Sequence, residues 1–139
     1  MTPNPICATP DMTLPEAHKI MSEKRIRRLP IVKDGKLVGI VTQGDVRGAQ
    51  PSEATTLSIF ELNYLLSKLT LDRIMTPAPV TIRPDETVYD AARLMLQKKI
   101  AGLPVVDGER VVGILTESDI FRMIVRLWEQ EATEALEAL

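Results

Sequence analysis

An internal repeat constrains the fold of this chain more than any other feature of its sequence. The segment GIVTQGD at residues 39–45 returns 74 positions later as GILTESD at residues 113–119. The same offset, without a gap, aligns MTPNP at residues 1–5 with MTPAP at residues 75–79, and about two in five aligned positions are identical. One copy of about 45 residues is too short to bury a stable core, so we expect the two copies to pack as a pseudo-symmetric pair.

Each copy has the same predicted order of elements, which is strand, helix, strand, strand, helix. The runs PICA at residues 5–8 and PVTI at residues 79–82 lie between prolines and are predicted as brief strands. Apolar residues at helical spacing then predict a helix with one buried stripe. An Asp-Gly pair between two apolar runs predicts a strand–turn–strand unit, which leads into the last helix. Capping boxes open the first helix of each copy, Thr13 with Glu16 and Thr87 with Asp90.

The repeat divides the chain into four segments. Residues 1–50 are the first repeat, 51–73 a linker, 74–130 the second repeat and 131–139 a C-terminal helical extension. The linker is predicted to contain an amphipathic helix over LSIFELNYLLSKL, with Ser58 and Glu61 as its capping box. The apolar side of this helix consists of Leu62, Leu65, Leu66 and Leu69.

The last helix carries an apolar stripe from Phe121 to Leu139. Core packing is expected to cover its first half. The second half extends beyond the repeat, and an apolar stripe with no core left to cover indicates a partner helix. We expect the partner to be a second copy of the chain in a homodimer, with a missing downstream segment as the alternative.

Composition narrows the class of protein. The net charge of −2 and the pI near 5.5 give no electrostatic footprint for nucleic acid or an anionic membrane. The single cysteine, Cys7, excludes an internal disulfide. Neither a signal peptide nor a run long enough to cross a bilayer is present, so we expect a soluble cytoplasmic protein. Because no paired base and nucleophile, metal cluster or Walker-type loop is evident, we expect no enzymatic activity and no required cofactor.

The two T-x-x-D motifs, Thr42 with Asp45 and Thr116 with Asp119, allow two interpretations. Both satisfy the capping-box pattern, which is a purely structural role. Each motif also closes a strand and opens a helix, so unpaired amides and the positive end of the helix dipole are expected to face a cleft that suits phosphate. The threonine hydroxyl can then donate to a phosphate oxygen, and the aspartate can accept from two ribose hydroxyls. The two roles are compatible, and the sequence leaves both open.

The two copies together resemble a tandem pair of CBS domains, also called a Bateman module. The resemblance rests on the opening MTPxPxxxxPDxT of each copy and on the blocks RLPIVKDGKLVGIVTQGDV and GLPVVDGERVVGILTESDI, and it covers nearly the whole chain. It implies an α/β fold of the α+β type, in which two pseudo-twofold-related β-α-β-β-α repeats pack through their small sheets. The linker further resembles that of bacterial stand-alone CBS-pair proteins, some of which are labelled acetoin-utilisation proteins.

The resemblance also implies a function. CBS pairs are generally regulatory rather than catalytic, bind adenine nucleotides or S-adenosyl compounds, and often associate into flat dimers. We therefore expect a nucleotide-sensing module whose ligand is AMP, ADP, ATP or S-adenosylmethionine. The alternative is a structural dimerisation domain whose clefts no longer bind a ligand.

Carried over residue by residue, the family pattern places one ligand site on each motif, beside the first strand of the other copy. Site one would contain Ile40, Thr42 and Asp45 with Val80, Thr81 and Ile82. Site two would contain Ile114, Thr116 and Asp119 with Ile6, Cys7 and Ala8. The family also places cations just before the Leu-Pro pair, where the first copy has Arg27 and Arg28 and the second has Ala101 and Gly102. We therefore expect the two sites to be unequal.

Two glycines and the cysteine are predicted to be structural. Gly39 and Gly113 are expected to allow a close approach of backbone in a strand, although a nearby ligand would need the same space. Cys7 is expected to be a small, half-buried strand residue, because the sequence indicates no histidine partner for it.

Overall fold

The computed structural model describes residues 1–49 and 58–137. These residues fall into two compact units. The first-repeat unit contains residues 5–49, 58–79 and 108–111, and the second-repeat unit contains residues 1–4, 80–107 and 112–137. The four segments drawn from the sequence, and the predicted pseudo-twofold packing of the repeats, stay predictions.

Secondary structure follows the same order in both copies. The first copy contains β1 (Thr2–Pro3), α1 (Leu14–Lys24), β2 (Arg28–Lys33), β3 (Lys36–Thr42) and α2 (Gln43–Gly48). Between the copies lie α3 (Ile59–Lys68) and a single 3-10 turn (Leu71–Arg73). The second copy contains β4 (Thr76–Pro77), α4 (Val88–Lys98), β5 (Gly102–Asp107), β6 (Arg110–Thr116) and α5 (Glu117–Glu137). The predicted α/β class and the order of elements are confirmed.

Each unit contains a three-stranded sheet whose edge strand comes from the other copy. The strand order is β2-β3-β4 in the first-repeat unit and β1-β6-β5 in the second-repeat unit. β4 pairs antiparallel with β3, which places Gly39 opposite Pro77. β1 pairs antiparallel with β6, which places Gly113 opposite Pro3. The repeat predicts two similar units, but it does not predict this exchange of edge strands.

Both glycines allow the edge strand to approach closely, as predicted. A Cβ atom at Gly39 would overlap the side chain of Met75 and lie 3.1 Å from the carbonyl oxygen of Thr76. A Cβ atom at Gly113 would meet the side chain of Met1 in the same way. In each unit a methionine side chain therefore occupies the space that a strand side chain would otherwise fill.

The predicted strands at residues 5–8 and 79–82 are wrong. Strand pairing forms earlier, at β1 and β4, and each run contributes only one bridging residue. Ala8 bridges β2 and Ile82 bridges β5, both in the parallel sense. Prolines flank both runs and lack the amide hydrogen that a longer ladder requires, so the pairing does not extend.

The first helix of each copy packs one apolar stripe into its unit. α1 follows Thr13 and α4 follows Thr87, and in both cases the threonine hydroxyl caps the helix. The predicted capping box is complete at Asp90, whereas at Glu16 only the amide takes part. The buried residues of these helices are Leu14, Ala17 and Met21 in α1, and Ala91 and Met95 in α4. Full burial of a leucine or methionine side chain contributes about 1.5–3 kcal/mol, so these stripes hold each helix against its sheet.

The linker helix α3 also begins where predicted, because the Ser58 hydroxyl accepts from the Glu61 amide at 3.2 Å, although only this half of the predicted capping box is seen. Its apolar side is covered only in part. Leu66 and Leu69 pack against the core of the first-repeat unit, whereas the Leu65 side chain is exposed.

The C-terminal helix α5 presents an apolar surface that the second-repeat unit does not cover. The expectation that core packing covers its first half is wrong, because Phe121 is 61% exposed. We call the exposed residues Phe121, Ile124, Val125 and Trp128 the α5 stripe. They recur at helical spacing and so lie along one side of the helix. Among the described residues, no helix combines the length and the apolar character needed to cross a membrane.

Candidate functional site

The first T-x-x-D motif lies where β3 ends and α2 begins. Thr42 is the N-cap residue, and its hydroxyl accepts from the Asp45 amide at 3.1 Å. The Oδ2 atom of Asp45 accepts from the Thr42 amide at 2.8 Å, which completes a capping box. Asp45 is half-buried. Its other oxygen, Oδ1, has no hydrogen-bond partner in the described part of the chain.

The second motif lies at the junction of β6 and α5, and its aspartate is more fully engaged. The Oδ2 atom of Asp119 accepts from the Thr116 amide at 2.9 Å and from the Thr116 hydroxyl at 3.1 Å. Its Oδ1 atom accepts from Nη1 of Arg122 at 3.0 Å. Both oxygens of Asp119 therefore have partners within the protein, whereas Oδ1 of Asp45 has none among residues 1–49 and 58–137. The capping role of both motifs is confirmed.

The two helix starts are less open than the sequence predicts. The first amide of α2, at Gln43, donates to the Arg27 carbonyl oxygen at 2.8 Å. The first amide of α5, at Glu117, donates to the Ala101 carbonyl oxygen at 3.1 Å. The third amide of each helix donates to the motif threonine. The prediction of unpaired amides is therefore wrong for two of the first three amides of each helix.

The arginines before the Leu-Pro pair lie beside the first motif. Arg28 is the first residue of β2 and is paired with Thr42 across the sheet. Directly opposed residues on antiparallel strands have Cβ atoms about 4.5–5.5 Å apart, so the Arg28 side chain starts next to the motif. Arg28 is half-buried and Arg27 is exposed. The second-repeat unit has Ala101 and Gly102 here, so this cationic position belongs to the first motif alone.

Each segment expected to contact adenine lies beside a strand of its own unit, residues 6–8 beside β2 and residues 80–82 beside β5. Ala8 bridges β2 and Ile82 bridges β5, and both side chains are buried. The other members of these segments are half-buried or exposed, namely Ile6, Cys7, Val80 and Thr81. The pairing of each segment with the motif of the other copy stays a prediction.

The two isoleucines that precede the motifs are placed alike. Ile40 lies opposite Thr76 of β4, and Ile114 lies opposite Thr2 of β1. Both are half-buried. Each isoleucine therefore lies next to an exchanged edge strand, two residues before the threonine of its motif.

The thiol of Cys7 has no feature of an activated nucleophile. Desolvation raises the pKa of this thiol above its ordinary value, so the thiol is protonated at neutral pH. Its Sγ atom donates to the Pro5 carbonyl oxygen at 3.5 Å. Within residues 1–49 and 58–137, no group of three or more His, Cys, Asp or Glu side chains is arranged to hold a metal ion.

A cavity of about 340 Å³ lies next to Asp119 in the second-repeat unit. Arg122 and Arg126 line it together with apolar side chains that include Val88, Leu115 and Met123. Neither arginine was predicted from the sequence as a site residue. A signal was present for Arg122, because Asp119 and Arg122 are three residues apart on one helix, a spacing at which opposite charges pair.

Comparison with known proteins identifies the family of both copies. The family model for the CBS domain matches residues 1–52 and 71–126. A homoserine O-acetyltransferase of Methanohalobium evestigatum is 39% identical to this chain over 115 residues, which are 81% of this chain and 21% of that protein. The chain therefore spans about a fifth of the length of that curated relative.

Three solved structures are similar over most of both chains. A Vibrio cholerae protein named for acetoin utilization (AcuB) has a TM-score of 0.77 and 31% identity, over 96% of this chain and 92% of that chain. The CBS domain pair of protein MJ0100, in complex with 5′-methylthioadenosine and S-adenosyl-L-methionine, has a TM-score of 0.73 and 37% identity, over 89% and 90%. CBSX2 of Arabidopsis thaliana, in complex with AMP, has a TM-score of 0.75 and 31% identity, over 91% and 93%.

Proposed function

Because this chain belongs to the CBS domain family and carries the domain twice, we propose that it is a regulatory module that binds adenosine-containing ligands. The candidate ligands are AMP, ADP, ATP and S-adenosylmethionine. Two structural relatives above 30% identity support this ligand class, one solved with AMP and one with 5′-methylthioadenosine and S-adenosyl-L-methionine.

The available oxygen of Asp45 carries the proposal. The Thr42 amide holds Oδ2 at 2.8 Å and so fixes the orientation of the carboxylate, while Oδ1 accepts from no group in the described part of the chain. A fixed carboxylate of this kind suits the two hydroxyls of a ribose, as in other nucleotide sites. Partial burial of Asp45 strengthens such hydrogen bonds, because the local dielectric is lower than that of water.

The first site is proposed to use both copies. Asp45 would accept from the ribose, and the Thr42 hydroxyl and the arginine pair would meet the phosphates. The backbone of residues 80–82 would meet the edge of the adenine. The second site would combine Thr116 and Asp119 with residues 6–8. The two sites are proposed to be unequal because Asp119 is already bonded to Arg122.

Regulation requires that the ligand change an equilibrium. A bound nucleotide can do so only to the extent that it binds one arrangement of the chain more tightly than another. We propose that the responsive partner is a second copy of the chain, so that the protein acts as a homodimer in the cytoplasm. The α5 stripe supports a protein partner, because four large apolar side chains on one helix side lie at least half exposed.

The same stripe supports the second candidate function, a structural dimerisation domain without a ligand. Both motifs form their capping boxes from the chain's own groups, as this alternative requires. Sedimentation velocity of wild type and Trp128→Glu tests the dimer shared by both candidates. We expect the variant to be monomeric and the neighbouring control Glu129→Lys to remain a dimer. A monomeric wild type would contradict the homodimer.

Calorimetry with AMP, ADP, ATP and S-adenosylmethionine separates the two candidate functions. Asp45→Ala is expected to weaken the best ligand by about 1–3 kcal/mol, as for a lost charge-assisted hydrogen bond. Asp90→Ala is the matched control, because Asp90 completes the same capping box at α4 but lies outside both motifs. We expect Asp90→Ala to bind as wild type does.

The possible failures of this experiment are distinct. If Asp90→Ala weakens binding as much as Asp45→Ala, the effect comes from lost helix capping and the ribose contact is wrong. If none of the four ligands binds the wild-type protein, the ligand-sensing proposal is wrong and the structural domain is favoured.

A further inference from the structure

We propose that the cavity beside Asp119 is an anion subsite, in which Arg122 and Arg126 bind a phosphate group of a nucleotide. This inference rests on the proposed function and deepens it, because it selects phosphorylated nucleotides over nucleosides as ligands of the second repeat. It also assigns a role to two residues that neither motif contains.

The placement of the two arginines supports the subsite. Arg122 and Arg126 lie one helical turn apart on α5, and both line the same cavity of about 340 Å³. The charged side chains of the lining are these two guanidinium groups and the carboxylate of Asp119. Their formal charges leave one net positive charge. An anion that enters this cavity therefore meets a lining of opposite sign.

The hydrogen-bond geometry leaves donors for a ligand. Arg122 gives one nitrogen, Nη1, to Oδ1 of Asp119 at 3.0 Å, and its side chain is 65% exposed. A guanidinium carries five N–H donors in a planar fork, so Arg122 can hold Asp119 and contact an oxyanion at the same time. Within the described residues, no ion pair or hydrogen bond engages the Arg126 side chain.

The surroundings strengthen a phosphate contact. Apolar side chains form part of the cavity lining, and a charge-assisted hydrogen bond is stronger beside apolar surface than in bulk water. Like charges at this helical spacing also repel each other weakly, and an anion between them removes that repulsion. A volume of about 340 Å³ lies within the usual range for small-ligand sites.

The repeat shows that the subsite belongs to the second copy alone. Gly48 occupies the position of Arg122 in the first copy. The counterpart of Arg126 is Ser52, which lies outside the described residues. The first copy has its cations before the Leu-Pro pair instead. The arginines assigned to the two sites therefore come from different elements, the start of β2 in the first copy and α5 in the second.

The experiment compares AMP with adenosine, which differ only in the phosphate. Calorimetry gives both affinities for wild type, Arg122→Gln, Arg126→Gln and the control Arg93→Gln, whose arginine is exposed on α4 and outside this cavity. NMR of the arginine Nε–Hε groups reports which side chains meet the phosphate. Because Arg122 and Arg126 are both exposed, we expect these variants to fold as wild type does.

We expect AMP to shift the Nε–Hε signals of Arg122 and Arg126 and adenosine to leave them unchanged. Arg126→Gln is expected to weaken AMP at this site about tenfold, as for one charge-assisted contact, without weakening adenosine. Arg93→Gln is expected to change neither ligand. Equal losses for AMP and adenosine in the arginine variants would overturn the subsite.

The results also separate the subsite from the proposed function. If AMP binds the wild-type protein while the signals of Arg122 and Arg126 stay unmoved, the subsite is wrong and the adenosine-binding function stands. If neither AMP nor adenosine binds but pyrophosphate shifts both signals, the subsite stands and the adenosine-binding function is wrong. If pyrophosphate also leaves both signals unmoved, both proposals fail.

Discussion

Replacing Gly39 with alanine tests how closely the exchanged edge strand approaches its sheet. A Cβ atom at this position would overlap the Met75 side chain and lie 3.1 Å from the Thr76 carbonyl oxygen. The methionine is flexible and can move. The carbonyl belongs to β4, so relief of that contact requires a shift of the strand itself. Gly39→Ala is therefore expected to disturb the strand pairing beside Ile40.

The expected loss of stability follows from two opposing effects. An extra methyl group in a well-packed site costs about 1–3 kcal/mol. A glycine-to-alanine change also reduces the entropy of the unfolded chain, which returns about 0.4–1 kcal/mol. The net expectation is a decrease of about 1–2 kcal/mol in the free energy of unfolding. For a chain of this length, that corresponds to a decrease in Tm of about 3–7 °C.

Urea and thermal unfolding, followed by circular dichroism, measure this change. The matched control is Gly48→Ala, because a Cβ atom at Gly48 would meet nothing within 4 Å. Gly48 lies in α2, where alanine is favoured over glycine, so we expect the control to keep or raise the Tm. The double variant Gly39→Ala with Met75→Ala tests the contact directly. Removing the methionine side chain is expected to reduce the cost of the alanine.

Two results would refute this reasoning. One is a Gly39→Ala variant as stable as wild type. The other is a cost that stays the same with Met75→Ala, because the methionine side chain would then have no part in it.

Two further predictions concern titratable groups. Desolvation raises the pKa of the Cys7 thiol. Iodoacetamide is therefore expected to alkylate Cys7 more slowly at pH 7 than it alkylates N-acetylcysteine, and the rate is expected to keep rising above pH 9. Faster alkylation of Cys7 at pH 7 would contradict this environment of the thiol. The amide and then the hydroxyl of Thr87 hold the pKa of the Asp90 carboxyl below its ordinary value of 3.8. A depressed folded-state pKa contributes stability that is present above the unfolded-state pKa and is lost as the pH falls through the folded-state value. The Tm difference between wild type and Asp90→Ala is therefore expected to be constant from pH 7 to about pH 5 and to shrink below about pH 4; a difference that grows in acid would contradict the capping geometry.

Much of the fold could be predicted because its signals are local. The capping residues Thr13, Ser58 and Thr87 mark helix starts through side-chain bonds to amides three residues ahead. The two glycines mark close backbone contacts in the same direct way. Helix capping depends on residues that are neighbours in sequence, and a close backbone contact depends on a missing side chain. Both can be read from a single sequence.

The features that escaped prediction depend on partners distant in sequence. β1 and β4 are each two residues long, which is too short for a hydrophobic period. The sequence therefore contains no pattern that predicts the exchange of edge strands. The runs at residues 5–8 and 79–82 are apolar enough to suggest strands, but tertiary contacts give each of them one bridge only.

The motif residues of the candidate site, and an inequality of the two sites based on Arg27 and Arg28, were predicted from the sequence, but the bond of Asp119 to Arg122 was not. The spacing of Thr42 with Asp45 and of Thr116 with Asp119 indicates the capping box and its position between strand and helix. Among the described residues, Arg122 donates to Oδ1 of Asp119 but no residue donates to Oδ1 of Asp45, because Gly48 occupies the position of Arg122 in the first copy. The difference between Gly48 and Arg122 can be read from the aligned repeats, three residues after the aspartate of each motif.

A thermodynamic cycle with AMP and 2′-deoxy-AMP on wild type and Asp45→Ala tests the ribose contact most directly. The deoxynucleotide lacks one of the two hydroxyls that Asp45 is proposed to bind. We predict that wild type prefers AMP by about 1–2 kcal/mol and that Asp45→Ala loses most of this preference. The same preference in both proteins would show that the Asp45 carboxylate does not bind the ribose, and the proposed site would be wrong.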